Sequence, residues 1–343
     1  MTYKNRLVRW GMAALLPLFA SGCLMEEPEL TADGELGVDP TSVNVEAEIT
    51  LDLEVPAAVS RADDEDVFSH RIIVEAYLDN QLSDREVVYE DPTLTNRLQT
   101  KVGLNLHARN YKLAVWVDRY NTENDSCLYD ASDLTGIIRA NNRSYGNTEN
   151  KDAFFATADL DLTPYRNEWG AKVDVEIAPR RAVGRYTLIA TDVADFRQKI
   201  ADGEVTPDAE NDNFRARLTY NDYLPVGFNA KEGITRHAFR YVTYNKSFRI
   251  SDDTPDELEL AFDYVFVNAD EEASIPVTLE VYSNNASGDE VIWASTTFRI
   301  RCVRGENTAV RSNFLTADPE EGVGIDPDFD GHEEGNLGAI EAE

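Results

Sequence analysis

The chain has 343 residues, enough for two ordinary domains, and its 42% hydrophobic and 10% aromatic content excludes wholesale disorder. Tyr (15) and Phe (14) outnumber Trp (4) and Met (3), a mix that favours strands over helices. A formal charge of −32 excludes nucleic acid, whose phosphate backbone needs clustered Lys and Arg, and repels anionic lipid, so membrane attachment must be covalent.

The first segment carries Lys4, Arg6 and Arg9 ahead of a short apolar run at residues 10–21. That run is too short to span a bilayer and reads as a cleaved export signal over residues 1–22. Ala20-Ser21-Gly22-Cys23 sets two small residues before a Cys and resembles the lipobox of bacterial lipoproteins, with Ala20 where Leu is usual. The resemblance implies a diacylated Cys23 as the new N-terminus, anchored in the outer membrane of a diderm bacterium. An ordinary secretory signal that contains a Cys is the alternative. Several acyl chains bury methylenes at roughly 0.8 kcal/mol each, enough for stable anchoring. Glu26 and Glu27 follow at once and resemble the surface-export signal of Bacteroidota lipoproteins; a plain acidic tether is the other reading. Cys127 and Cys302 are left either to form one disulfide or to stay free thiols.

Charge divides the rest. Residues 24–66 hold 14 acidic residues and one basic, and residues 318–343 hold 10 acidic and none basic. The 251 residues between them hold 40 and 28, so the excess lies in two flanks that read as solvated and partly extended. An acidic tether is expected over 23–42 and an acidic tail over 317–343.

Past the tether, Val43, Val45, Ala47, Ile49, Leu51, Leu53 and Val55 occupy every odd position, a period of two that predicts a half-buried strand. Strands are predicted next at 71–78 and 87–89, through Leu98 to Leu106, and through Tyr111 to Val117 with Trp116 on the opposite face. Residues 121–151, rich in Asn, Asp, Ser and Gly, read as a long decorated loop. Strands resume at 154–162 and 172–177, and Pro179-Arg180-Arg181 marks the expected domain boundary. The second half predicts strands at 185–190, 215–220 and 239–250, a short helix at 193–200, and a perfect alternation from Leu258 to Phe266. Strands at 275–281 and 291–303 flank an Asn-Asn-Ala-Ser-Gly-Asp hairpin loop. Short strands at spacings near ten residues predict an all-β fold of two tandem β-sandwich domains, 43–180 and 181–316.

The signals for catalysis are poor, and the chain reads as a non-enzyme without cofactor or metal. His70, His107, His237 and His332 are dispersed, with no nucleophile elbow, phosphate loop or ligand-spaced Cys pair. Asp326 to Gly331 fits the first half of a calcium loop, but Leu337 stands where a bidentate carboxylate is needed, so a solvated tail is the better reading. Trp116 and Trp293 lie in strand patterns and read as core. Trp169, with nearby Tyr165, is the candidate glycan contact.

Several strings in order resemble one family. Tyr111-Lys112-Leu113-Ala114-Val115-Trp116, Asp152-Ala153-Phe154 and the ending Gly322 to Gly331 are similar to segments of Bacteroidota fimbrillin-like and fimbria-anchoring surface lipoproteins, nearest to a branch of uncharacterised function. The resemblance implies transthyretin-like sandwiches and partners that are fimbrial subunits or other surface proteins, joined by strand exchange. In polymerising members a protease cuts after an Arg behind the first strand; Arg61 is the matching candidate here. An obvious donor strand is lacking near the C-terminus, which favours an anchor or accessory role over self-polymerisation.

Overall fold

The computed structural model describes residues 39–55, 68–90, 97–123, 125–139, 146–268, 272–318 and 332–336. Cys23, Glu26, Glu27, Arg61 and the acidic string 326–331 lie outside the described residues. The first half contains β1 (Asn44–Glu54), β2 (Phe68–Leu78), β3 (Gln81–Glu90), β4 (Arg97–His107), β5 (Asn110–Asn121), β6 (Ser126–Cys127), β7 (Tyr129–Asp130), β8 (Ile137–Arg139), β9 (Ala153–Asp161), β10 (Ala171–Ile177) and β11 (Arg180–Arg181). The second contains β12 (Val183–Ala190), helix α1 (Val193–Ala201), β13 (Phe214–Tyr220), β14 (Leu224–Asn229), β15 (Ile234–Phe239), β16 (Thr243–Phe248), β17 (Leu258–Phe266), β18 (Glu272–Asn284), β19 (Glu290–Val303), β20 (Glu306–Ser312) and β21 (His332–Asn336).

The fold is all-β, as the alternation predicts. In the first sandwich the sheet β10-β1-β4 faces the sheet β9-β5-β2-β3, with β11 added beside β9. β1 runs antiparallel to β4 and parallel to β10, so Ile49 lies between Val102 and Val175. The second sandwich repeats this plan. β12 lies between antiparallel β17 and parallel β20, and the facing sheet runs β19-β18-β13-β16. The two halves share strand order and strand direction although no sequence repeat links them. α1 stands where the helix was predicted and buries Val193 and Phe196 against the second core.

Each sandwich has its own core, one built around Ile49, Leu51, Val115 and Phe154 and one around Tyr186, Phe214, Leu218 and Val277. A third core lies between them. β5 is buried on both faces: Tyr111, Leu113, Val115 and Val117 point into the first sandwich, while Ala114 and Trp116 join Ile73, Tyr77 and Phe155 against the second half. Trp116 is thus core, but core of the junction.

Three predictions are corrected. The alternation from Leu258 to Phe266 does not bury one continuous face. A bulge makes Leu188 pair with Ala261 and Ile189 with Glu259, leaving Leu260 as the extra residue. Leu260 and Ala261 therefore enter the second core, while Phe262, Tyr264 and Phe266 face the junction. The stretch 121–151 is not a free loop: it holds β7 and β8, and β8 pairs with β14 to form the sheet β15-β14-β8-β7 across the two halves. Tyr129, Ala131, Leu134 and Ile137 bury there, spaced too irregularly to look periodic. Finally, residues 332–336 of the acidic tail form β21, antiparallel to β20.

Candidate functional site

Two regions concentrate unusual chemistry. The first is the groove filled by β1. Seven apolar side chains from Val43 to Val55 are each at most 4% exposed, and intervening residues carry the opposite face. On that face Lys101 pairs with Glu48 and Lys172 with Glu46, so both neighbouring strands hold β1 by surface ion pairs. Pairs this exposed add little to stability, and the strand is held mainly by its ladder bonds and apolar face.

The second region is the junction, where carboxylates are buried and partnered. Arg71 Nε donates to Asp118 Oδ1 at 2.9 Å, and Arg181 Nε donates to Asp152 Oδ1 at 3.0 Å. Burial raises the Asp118 and Asp152 carboxyl pKa values, with the arginines opposing. Arg181 also lies over the Phe154 ring at 5.0 Å. Asp152, just before β9, and Phe154 within it thus clasp Arg181 of β11. Glu75, fully buried, accepts from Arg85 and from Tyr77.

A fourth carboxylate is buried as fully as Glu75. Lys151, at the end of the 121–151 crossover, donates through Nζ to Asp263 Oδ1 of β17; both side chains are buried. Tyr264 N donates to the same oxygen at 2.7 Å, and Tyr220 Oη donates to Asp263 Oδ2 at 2.6 Å. Tyr186 Oη bonds to Tyr220 Oη at 2.6 Å and to Tyr244 Oη at 2.9 Å. A phenol has one proton to give. Tyr220 spends its own on Asp263, so it accepts from Tyr186; Tyr186, its proton used, can only accept from Tyr244, whose hydroxyl also lies 3.3 Å from the Phe262 carbonyl oxygen and shares its proton between the two. The three hydroxyls form a directed chain aimed at Asp263. Burial pushes all three phenol pKa values well up and the Lys151 pKa down. Sequence reasoning passed over this cluster because Lys151 and Asp263 are 112 residues apart and neither sits in a motif.

The glycan candidates separate. Trp169 is 60% exposed, whereas Tyr165 packs partly buried against the first core. Trp293 is half-buried and donates Nε1–H to Ser283 Oγ at 2.8 Å. Other exposed aromatics gather at the β14–β15 end: Tyr223 and Tyr241, with Arg240 4.2 Å over the Tyr223 ring. Cys127 and Cys302 are free thiols, the first half-buried and the second buried, and burial pushes Cys127 up to about 11. Among the described residues no group of three or more His, Cys, Asp and Glu is placed to hold a metal ion.

A model of a family of unknown function (DUF6562) matches residues 40–341. No curated protein matches the chain. Solved structures similar to it include a candidate cell adhesion protein from Parabacteroides distasonis, at 10% identity and TM-score 0.46, aligned over 86% of this chain and 98% of that one. The fimbrial anchor protein Mfa2 from Porphyromonas gingivalis aligns at 12% identity and TM-score 0.40, over 78% and 90%. A candidate polysaccharide-binding protein from Bacteroides thetaiotaomicron aligns at 12% identity and TM-score 0.38, over 79% and 94%.

Proposed function

The chain belongs to the DUF6562 family of unknown function, and we propose that within it this protein is a non-catalytic surface lipoprotein of fimbria-anchor or accessory type. It is held in the outer membrane by lipid on Cys23, sent outward by Glu26 and Glu27, and acts by protein–protein contact with fimbrial subunits or other surface proteins.

The observation that carries this reading is the setting of β1. It is the first strand of its sandwich, it lies between β4 and β10 rather than at an edge, and its whole inner face is apolar and buried. Arg61 follows it in sequence by only a few residues. A cut after Arg61 would leave β1, together with the tether and Cys23, joined to the body only by its ladder bonds and apolar face, so the uncut chain is the anchored form and displacement of β1 opens a slot with unpaired backbone on both sides. Such a slot accepts a strand of the same alternation from a partner, by β-augmentation. The strand is therefore the element a partner would replace.

Mass spectrometry of the mature protein from cells tests the anchor. The expected N-terminus is an acylated Cys23, with a second N-terminus at Ala62 in the cut form. Cys23→Ala should move the protein from the membrane to the soluble fraction. An unmodified Cys23, or full protection of the protein when intact cells are treated with protease, would overturn the proposal.

A second reading, a surface glycan-binding lipoprotein, draws on the exposure of Trp169 and on the Tyr223–Tyr241 cluster. Aromatic faces of this kind stack on sugar rings. Retardation in polysaccharide affinity gels, lost in Trp169→Ala or Tyr241→Ala, would support it; unretarded migration on host and plant polysaccharides would remove it.

A further inference from the structure

We propose that Lys151 and Asp263 condense to an intramolecular amide that covalently joins the two sandwiches. The pairing itself is the first indication. The other buried carboxylates in junction ion pairs, Asp118, Glu75 and Asp152, all pair with arginine. Arginine presents a fixed fork of donors and stays charged, which suits a permanent buried ion pair. Asp263 is paired with lysine, whose amine is a nucleophile once it loses a proton.

The surroundings favour that loss. Burial disfavours the ammonium, and the neighbouring Arg139 charge acts in the same direction, against the pull of Asp263 itself. Separated charges in a site this dry are costly, and a neutral product removes both. Besides the lysine, two donors are already disposed around the carboxyl as the reaction needs. Tyr264 N–H, 2.7 Å from Oδ1, holds the oxygen that stays and stabilises the charge it gains when the amine adds. Tyr220 Oη, 2.6 Å from Oδ2, protonates the oxygen that leaves. The Tyr186–Tyr244 chain behind it stabilises the transient phenolate.

The balance closes without any co-reactant. Lys151 Nζ attacks Asp263 Cγ, the Nζ–Cγ bond forms, and the Cγ–Oδ2 bond breaks. Two of the three ammonium protons go to Oδ2, one of them relayed through Tyr220, and Oδ2 leaves as water. The third proton stays as the amide N–H. Nothing is oxidised or reduced. Two groups locked in contact react with an effective molarity of about 10⁵ M or more, which lowers the barrier, and exchange of a buried ion pair for a neutral amide favours the product.

Tryptic peptide mapping of the denatured full-length protein decides the matter. An amide blocks cleavage after Lys151, so residues 144–166 should appear joined to residues 250–299, lighter by one water than the two peptides together. Lys151→Arg keeps the buried cation but cannot form the amide; its digest should contain only separate peptides, and its Tm should fall by roughly 10 °C as the long covalent loop is lost. Tyr220→Phe should slow the appearance of the joined peptide at least tenfold in freshly folded protein. Recovery of residues 144–151, 152–166 and 250–299 as separate peptides from the unmutated protein would overturn the proposal, whatever the variants do.

Discussion

At the scale of single residues, His70 shows how burial sets chemistry. It lies on β2 between Glu90 of β3 and Arg119 of β5, and it is 6% exposed. Nδ1 has no hydrogen-bond partner among the described residues. Burial, with Arg119 adding to it, lowers its pKa to about 4. Below pH 6.5 an unfolded chain protonates this histidine while the folded one does not. Stability is therefore fully present above pH 6.5, is lost as pH falls from 6.5 to 4, and the loss from this group levels off below that. A shift of this size amounts to about 3 kcal/mol. Urea titrations across that window should show a smaller loss for His70→Phe than for the unmutated protein, and the His70 ring proton should titrate near pH 4 by NMR. Equal pH dependence in the two proteins would contradict the assignment.

At the scale of elements, close strand approach explains where substitution fails. Gly184 of β12 sits so near the end of β19 that an added Cβ would overlap the carbonyl oxygen of Val303, a backbone atom that cannot swing aside. Gly184→Ala is expected to destabilise by about 2 kcal/mol, read as a lower urea midpoint with unchanged slope. Gly103 of β4, with open space around its Cβ position, is the matched control. The bulge at Leu260 acts at the same scale. One extra residue turns Phe262, Tyr264 and Phe266 away from their own sandwich and supplies the junction with three rings.

For the whole molecule, the junction makes two sandwiches behave as one body. Trp116 meets Tyr129 edge-on at 5.6 Å and lies 6.0 Å from Phe228 and 6.3 Å from Phe266, so one side chain touches both halves. The sheet shared through β8 and β14, and the Lys151–Asp263 contact, cross the same boundary. Unfolding should therefore be a single calorimetric transition. Trp116→Ala removes about 4 kcal/mol of packing and should split it into two; a lower but still single transition would show that the remaining contacts suffice.

The amino-acid sequence by itself determined the class of fold and most of its strands. Side-chain alternation is a local property, and β1, β4, β5, β13 and β18 each carry it within a dozen residues or so. The helix over 193–200 was legible for the same reason. The export signal and the Cys23 anchor that we propose rest on contiguous strings alone. What only the tertiary structure decided is which faces meet. Trp116 and Phe262 were legible as buried but not as junction residues, because a strand's pattern does not name the sheet opposite it. The strands β14, β15 and β20, and the clustering of Lys151, Asp263 and three tyrosines, depend on segments brought together from across the chain. Long-range pairing of that kind leaves no local period, so the fold's outline was written in the pattern and its chemistry was set by packing.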